Sequence, residues 1–487
     1  MKTHPYLPGL NLPRTRGKAR SARERLAAEL EQAKRKSFSQ LGECFGRFIP
    51  GHFLSPAKSG VLSRRRLFSK ENTFWSFFSQ ILDADGGCKE VVRKLQAAVV
   101  EKGQPLPSSS TAAYCKARQR FELSSLESIH QHLSDQLRNR AGDDLLRNRR
   151  IVVVDGTGVS MPDTEENQKP WPQTKSQKPG CGFPQARLCA CFNLHNGALL
   201  SYELGNKKSH ELMLLRQQWE TFEAGDIFLG DKGFCSYYDQ SKLRDRGVDS
   251  IITLARRKPV EHAEAVEVLG ENDLLIHWPK PKWNKRLSYS LQEWEALPEK
   301  LLLRQVKVIV NQPGFRTKSF HIITTLLDAK AYLATELAEA YFRRWDVELF
   351  FRDIKTTMDM DVLRCKTPEM VRKEIVMHLI VYNCIRTFIS EAAREEGKLR
   401  RISFKGALQA VRKWEPCLER ACFSNREFTR LIQILYRAIA SNIVPHRPER
   451  SEPRAVKRRP KNYQRLTRPR HEMIPCPHRS KYRAENA

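Results

Sequence analysis

Ile151 to Val154, four consecutive residues of high β propensity, run straight into Asp155 and Gly156, and no other stretch narrows the possible folds as much. The run is too short for a helix and too uniformly apolar for a strand with one wet face, so it reads as a strand buried on both sides. Its carboxylate then stands at the C-terminal end, where the backbone leaves the sheet. ARLCACFNL and ALLSYELG follow as two more strands, joined at His195-Asn196-Gly197, where Asn-Gly is a strong hairpin signal. Glu211 to Phe222 reads as a helix, and Ile227 to Leu229 as a short apolar strand ending at Asp231. One strand-end aspartate is commonly a cap or turn residue. Two of them in a strand, hairpin, helix, strand layout bring like charges together, and such charges repel unless a cation sits between them.

Around this α/β centre the chain divides by texture. Residues 1–145 read as a helical region, with an amphipathic basic segment at Ser21 to Lys36 and an aromatic cluster in ENTFWSFFSQIL. The helix AAYCKARQRF is expected to project Lys116, Arg118 and Arg120 outward, which suits the backbone of duplex DNA and equally suits a basic, merely soluble bundle. Residues 146–256 form the first part of the core, and the Pro, Gln and Lys-rich loop 162–184 within it is long enough to suggest a functional surface. Residues 257–320 read as a β-rich insertion, and 321–443 as the second part of the core with a helical extension. There FHIITTLL is a strand, and Lys330 to Met358 and Pro368 to Ala393 are long helices. The basic, proline-rich residues 444–487 are expected to be disordered alone and to order on a polyanion.

With 85 Lys and Arg against 55 Asp and Glu, the chain carries a formal charge of +30. That excess predicts a polyanionic partner, nucleic acid before an anionic membrane surface. No apolar run is long enough to span a bilayer and the start lacks a signal-peptide core, so a soluble, cytoplasmic, nucleoid-associated protein is expected, with no membrane partner. The 12 cysteines include no CxxC pair and read as reduced core thiols; Cys189 and Cys191 are taken to point to opposite faces of their strand.

The later helix carries YFRRWDVELFFRDIK. At ~100° per residue Tyr341, Arg344, Glu348 and Lys355 fall within about 60° of one another, so a phenol, two cations and a carboxylate share one stripe. Such a stripe suits an anionic partner, although Arg344 and Glu348 could equally form a surface ion pair. Trp345, Phe342 and Leu349 make an adjoining apolar sector, which places Trp345 at the border of the stripe. Asp155, Asp231 and Glu348 together are the oxygen donors that two hard divalent cations need for an in-line displacement at phosphorus.

At these residues the chain resembles the DDE transposases of the insertion-sequence 4 family. The family signature Y-(2)-R-(3)-E-(6)-K is met by Tyr341, Arg344, Glu348 and Lys355 without a spacing error. Asp155-Gly156-Thr157, Pro162-Asp163-Thr164 and SQKPGCGFPQARL also look like the family, as do FWSFFSQIL, STAAYCKARQRF and EPRAVKRRPKNY. The resemblance implies a ribonuclease H-like core in which Asp155, Asp231 and Glu348 are catalytic and bind two Mg²⁺, with Mn²⁺ able to substitute. It further implies that Tyr341, Arg344 and Lys355 contact DNA near the cleaved end, and Trp345 is placed with them. Phe320, at the end of the insertion, is the positional candidate to stack on a flipped base, as a Trp does in relatives. Lys replaces the Arg that many relatives carry after the second aspartate. His210 and Glu211, after the basic Lys207-Lys208, are candidates to touch the scissile region, and capping and surface roles are the favoured assignment.

The implied activity is cut-and-paste transposition by a homodimer on paired terminal inverted repeats. Water nicks the element end, the freed 3′-hydroxyl attacks the opposite strand to give a hairpin, a second water opens that hairpin, and the same 3′-hydroxyl joins target DNA. A structure-selective nuclease on the same core and a non-catalytic DNA-binding descendant remain as alternatives.

Overall fold

The computed structural model describes residue 42, residues 45–445 apart from short internal stretches, of which 255–263 and 311–318 are the longest, and residues 468–473. The expected helix at 21–36 lies outside the described residues, as does nearly all of the basic tail.

The centre of the molecule is a nine-stranded sheet in the order β3-β2-β1-β4-β5-β9-β8-β7-β6. Strands β1 (Ile151–Ser160), β2 (Gln185–Asn193) and β3 (Leu199–Asn206) form an antiparallel meander, while β4 (Ile227–Leu229) and β5 (Asp249–Thr253) run parallel to β1. Beyond them β9 (Ser319–Thr324) pairs antiparallel with β5, followed outward by β8 (Lys300–Ile309), β7 (Asp273–Pro279) and β6 (Glu264–Gly270). The strands of 264–309 thus extend the central sheet, because β9 offers one edge to β5 and the other to β8. The ladder between β1 and β2 runs nine pairs, Val152↔Asn193 to Ser160↔Gln185. By contrast β1–β4, β4–β5 and β5–β9 are joined over three pairs each.

Two apolar layers cover this sheet. Ile151, Val153, Ile227 and Leu229 pack on one face, and Val152, Val154 and Phe228 on the other, as alternation along a strand demands. Cys189 and Cys191 both belong to the second layer, which corrects the expectation of opposite faces: residues two apart on a strand share one. The first layer holds helices α1 (Lys70–Leu82) and α4 (Leu123–Arg138) around the carboxy-terminal helices, while α2 (Cys88–Glu101) and α3 (Ala112–Arg120) form a small apolar cluster of their own at Val91, Val92 and Tyr114. Arg118 does not project outward. Its guanidinium is buried over the rings of Phe77 and Tyr114, at 5.0 and 4.9 Å, and donates to Gln80 Oε1 at 2.9 Å. A cation one turn from an apolar face folds inward when a buried amide oxygen awaits it; Lys116 and Arg120 stay exposed.

The second layer holds α5 (Glu211–Arg216) and α6 (Tyr237–Asp245). The helix expected to reach Phe222 stops at Arg216 and is followed by a 3₁₀ turn, Trp219–Thr221. Gln218 lies between them, its side chain buried against the Cys189 and Leu214 carbonyls.

The stretch expected as one helix over 330–358 is instead α7 (Ala334–Arg343), α8 (Asp346–Arg352) and a π-helical turn, Asp353–Thr357. Between α7 and α8 the backbone bonds shorten to three-residue spacing, Arg344 to Tyr341 and Trp345 to Phe342, so the helix is overwound there and underwound at the π turn. Helix α9 (Pro368–Glu396) follows, with α10 (Phe404–Ala421) and α11 (Asn425–Ala440) against it. Among the described residues, α9 is the one helix long and apolar enough to cross a membrane, and 94% of its most apolar window is buried inside the fold. Gly197, at the hairpin tip, has φ +69°, and a Cβ there would stand 2.9 Å from Arg386 of α9. The turn that Asn-Gly announces is therefore also a seat for that guanidinium, which pairs with Asp353 of the π turn at 3.0 Å.

Part of the loop 162–184 is packed. Thr164 Oγ1 donates to the Lys366 carbonyl at 2.7 Å, Trp171 is buried, and Arg372 lies 5.3 Å over its ring.

Two buried histidines make the fold acid-sensitive. Burial holds His130 of α4 down to about 4 and His378 of α9 down to about 3, the latter with help from Arg364. The unfolded chain takes up these protons near pH 6.5 and the folded chain does not, so stability is full above that value and is lost as pH falls below it. Between pH 7 and 5.5 the pair contributes a loss of about 2 kcal/mol. Urea titrations at the two pH values measure it, and the slope flattens in the His130→Gln/His378→Gln double variant.

Candidate active site

Asp155 is not the last residue of its strand. The nine-pair ladder with β2 carries β1 on to Ser160, with Asp155 opposite Ala190. On the other side β4 has already ended, the last pair being Val153↔Leu229. Two residues on in this parallel register, past the end of the ladder, stand Asp155 and Asp231, near enough for the Asp231 charge to act on the Asp155 carboxyl. Alternation places both side chains on the face of Val153 and Leu229, the face covered by α7 and α8.

Each aspartate also performs a local task. Asp155 accepts from the Gly156 N–H at 2.7 Å, and Asp231 caps the turn Lys232–Phe234 by accepting from the Gly233 N–H at 2.7 Å. Burial pushes the Asp155 carboxyl up to about 6, and the neighbouring Asp231 and Glu211 charges push the same way, against the Gly156 bond and the Arg344 guanidinium. A carboxylate crowded by like charges is a ready ligand for a cation.

Arg344 Nη1 lies 3.9 Å from Asp155 Oδ2. The side chain is 10% exposed and spread over Trp345 and Tyr341, at 5.1 and 5.8 Å, and its Nε is buried without a hydrogen-bond partner. A guanidinium so placed can accept a further anion. Glu348 sits exposed in the first turn of α8, four residues on. Among the described residues no set of three or more His, Cys, Asp or Glu side chains is drawn tightly enough to hold a metal ion. The fold brings two aspartates together and holds Glu348 on the adjoining helix. The Asp155 carboxyl, pushed up by burial and by its acidic neighbours, stands beside Asp231 with carboxylate oxygens of the kind that suit a hard divalent cation.

The remaining candidates are engaged with protein. Lys355 Nζ donates to Gly158 O at 2.9 Å and Thr157 Oγ1 at 3.2 Å, and pairs with Asp361 at 3.3 Å. Tyr341 is buried, its hydroxyl 2.8 Å from Thr253 Oγ1 at the end of β5. Phe320 is half-buried against Tyr341 and Phe342, at 5.2 and 5.8 Å. Trp345, stacked on Phe342 and 39% exposed, is the open ring of this group.

The transposase DDE domain family matches residues 146–384, which span every one of these side chains. Transposase InsG for insertion sequence element IS4 of Escherichia coli (strain K12) is 26% identical over 426 residues, 85% of this chain and 92% of that protein. The chain belongs to the DDE transposases of the insertion-sequence 4 family. The transposase for element IS231F of Bacillus thuringiensis subsp. israelensis is 19% identical over 60% of this chain and 68% of its own length. Among solved structures, the piggyBac transposase synaptic complex with hairpin DNA aligns over 82% of both chains at 9% identity with a TM-score of 0.38, too slight a likeness to argue from. As a DDE transposase the chain is an enzyme of DNA cleavage and strand transfer.

Arg187 is a site neighbour that the sequence did not single out, and Glu211 was named there beside His210 but given a capping and surface role. The available signal was the glycine after Asp155, which must leave room for something.

Proposed function

We propose that this transposase binds the terminal inverted repeats of its own insertion sequence, excises the element by metal-dependent hydrolysis through a hairpin, and joins it to target DNA. The observation that carries this is Asp155 beside Asp231, with a buried Arg344 whose Nε lacks a hydrogen-bond partner. The strand order β3-β2-β1-β4-β5, with an antiparallel meander and two parallel strands, supports a ribonuclease H-like core. Asp155, Asp231 and Glu348 hold two Mg²⁺ ions, for which Mn²⁺ substitutes; when bound, these supply a stronger attacking oxygen and charge relief on the departing one. Arg344 takes the phosphate beside the scissile bond, using the guanidinium edge that protein groups leave open. Trp345 gives its exposed face to an unstacked base at the hairpin, with Phe342 and Phe320 supporting it from behind. Lys355 first holds the π turn to β1 and Tyr341 holds α7 to β5, and they reach DNA only by exchanging those partners. The working form is a homodimer on paired ends, in the cytoplasm at the nucleoid.

The test is incubation of the full chain with Mg²⁺ and a duplex ending in the element's own inverted repeat. Nicked and then hairpin products are expected, whereas cutting of flaps or junctions lacking that end would favour a structure-selective nuclease. Arg344→Ala is expected to slow hairpin formation by about a hundredfold, the weight of one charge-assisted contact to the reacting phosphate, while total DNA affinity falls less than threefold. Gel assays of both steps measure the split, and equal losses would argue against a local role.

A further inference from the structure

Gly156 lacks a side chain where the sheet is most crowded. A Cβ built there would stand 2.3 Å from Glu211 Oε1, so the carboxylate of Glu211 fills the space that any other residue would need. Glu211 opens α5, whose Leu214 and Leu215 pack in the layer of Val152 and Val154. It therefore approaches β1 from the face opposite to Asp155, beside the position where β4 has ended. Among the described residues it is held loosely: Arg187 Nη1 is 3.6 Å away, an ion pair too long for a hydrogen bond, and donates to Ser209 O at 3.2 Å. On the other face Arg344 lies 3.9 Å from Asp155, nine-tenths buried with its Nε lacking a hydrogen-bond partner, so the site beside Asp155 is one that an outside ligand completes.

We infer that Glu211 is a fourth carboxylate of the metal site, reaching it through the opening left by Gly156 and the short β4. This rests on the reading of Asp155 and Asp231 as metal ligands. Hard divalent cations take carboxylate oxygens directly or through retained water, and a fourth carboxylate from the far face can hold such a water without leaving its helix.

The experiment is a titration of Mn²⁺ alone into the full-length chain, followed by the loss of the free-ion electron paramagnetic resonance signal. It compares wild type, Asp155→Asn, Glu211→Gln and Arg187→Gln. Glu211→Gln is expected to weaken binding about tenfold to a hundredfold, and Arg187→Gln to leave it within about twofold. A Glu211→Gln curve that superposes on wild type while Asp155→Asn abolishes binding would overturn the role of Glu211 and leave the metal site standing. Wild-type binding by Asp155→Asn would instead overturn the metal site itself. Loss in Arg187→Gln equal to that in Glu211→Gln would reduce Glu211 to an anchor for α5. Circular dichroism reports folding. If Glu211→Gln is unfolded, Glu211→Asp, which keeps the charge but withdraws it from the gap, takes its place with the same expectation.

Discussion

Asp155→Asn and Glu348→Gln are each expected to lower cleavage of an end-bearing duplex by about a thousandfold, roughly 4 kcal/mol of barrier, while affinity for that duplex stays within about twofold. The exchange at Asp155 keeps its shape. Asparagine can still accept from the Gly156 N–H through its amide oxygen, and the strand remains fixed by its backbone ladder with β2. Only the charge is lost. Because burial and like-charged neighbours already disfavour the ionised form of Asp155, the variant should melt no lower than the wild type. Glu348 is exposed, so its exchange should be equally silent in stability. Single-turnover cleavage, gel-shift affinity and thermal melting measured together decide the matter. Loss of cleavage with a lowered melting point would assign these carboxylates to the fold.

The largest stability effect is expected far from the carboxylates. Arg304 of β8 is fully buried and holds Asp273 of β7 with two bonds, at 2.8 and 2.5 Å, and the Tyr332 carbonyl with a third at 2.6 Å. Asp273→Ala strands that guanidinium without its counter-charge, at a cost of about 3–5 kcal/mol. Arg304→Met with Asp273→Leu removes both charges and should recover most of the loss, since the attraction in such a pair is largely offset by desolvation. Urea unfolding followed by tryptophan fluorescence measures the difference. A double variant as weak as the single one would mean that shape at this position matters more than charge.

Much of this architecture was legible in order. The buried run at 151–154, the hairpin tip at Asn196-Gly197, the strand at 227–229 and the long apolar helix from Pro368 stand where alternation and turn chemistry put them. What failed has a common cause. The continuation of β1 to Ser160 and the inward turn of Arg118 each depend on a partner distant in sequence, β2 for the first and Gln80 for the second. A wheel drawn at constant pitch places Glu348 and Lys355 side by side, but an overwound turn before one and a π turn before the other rotate them differently. Glu211 was given a capping and surface role because what draws it to the site is an absence, the missing side chain of Gly156.

The three short ladders in the middle of the sheet have a mechanical consequence. A ribbon broad at both ends and pinched between them turns most readily about the pinch, and here the pinch runs beside the paired acids. Torque applied to either flank by a bound duplex would be felt first as a change in the spacing of Asp155 and Asp231, so that grip and chemistry share one axle.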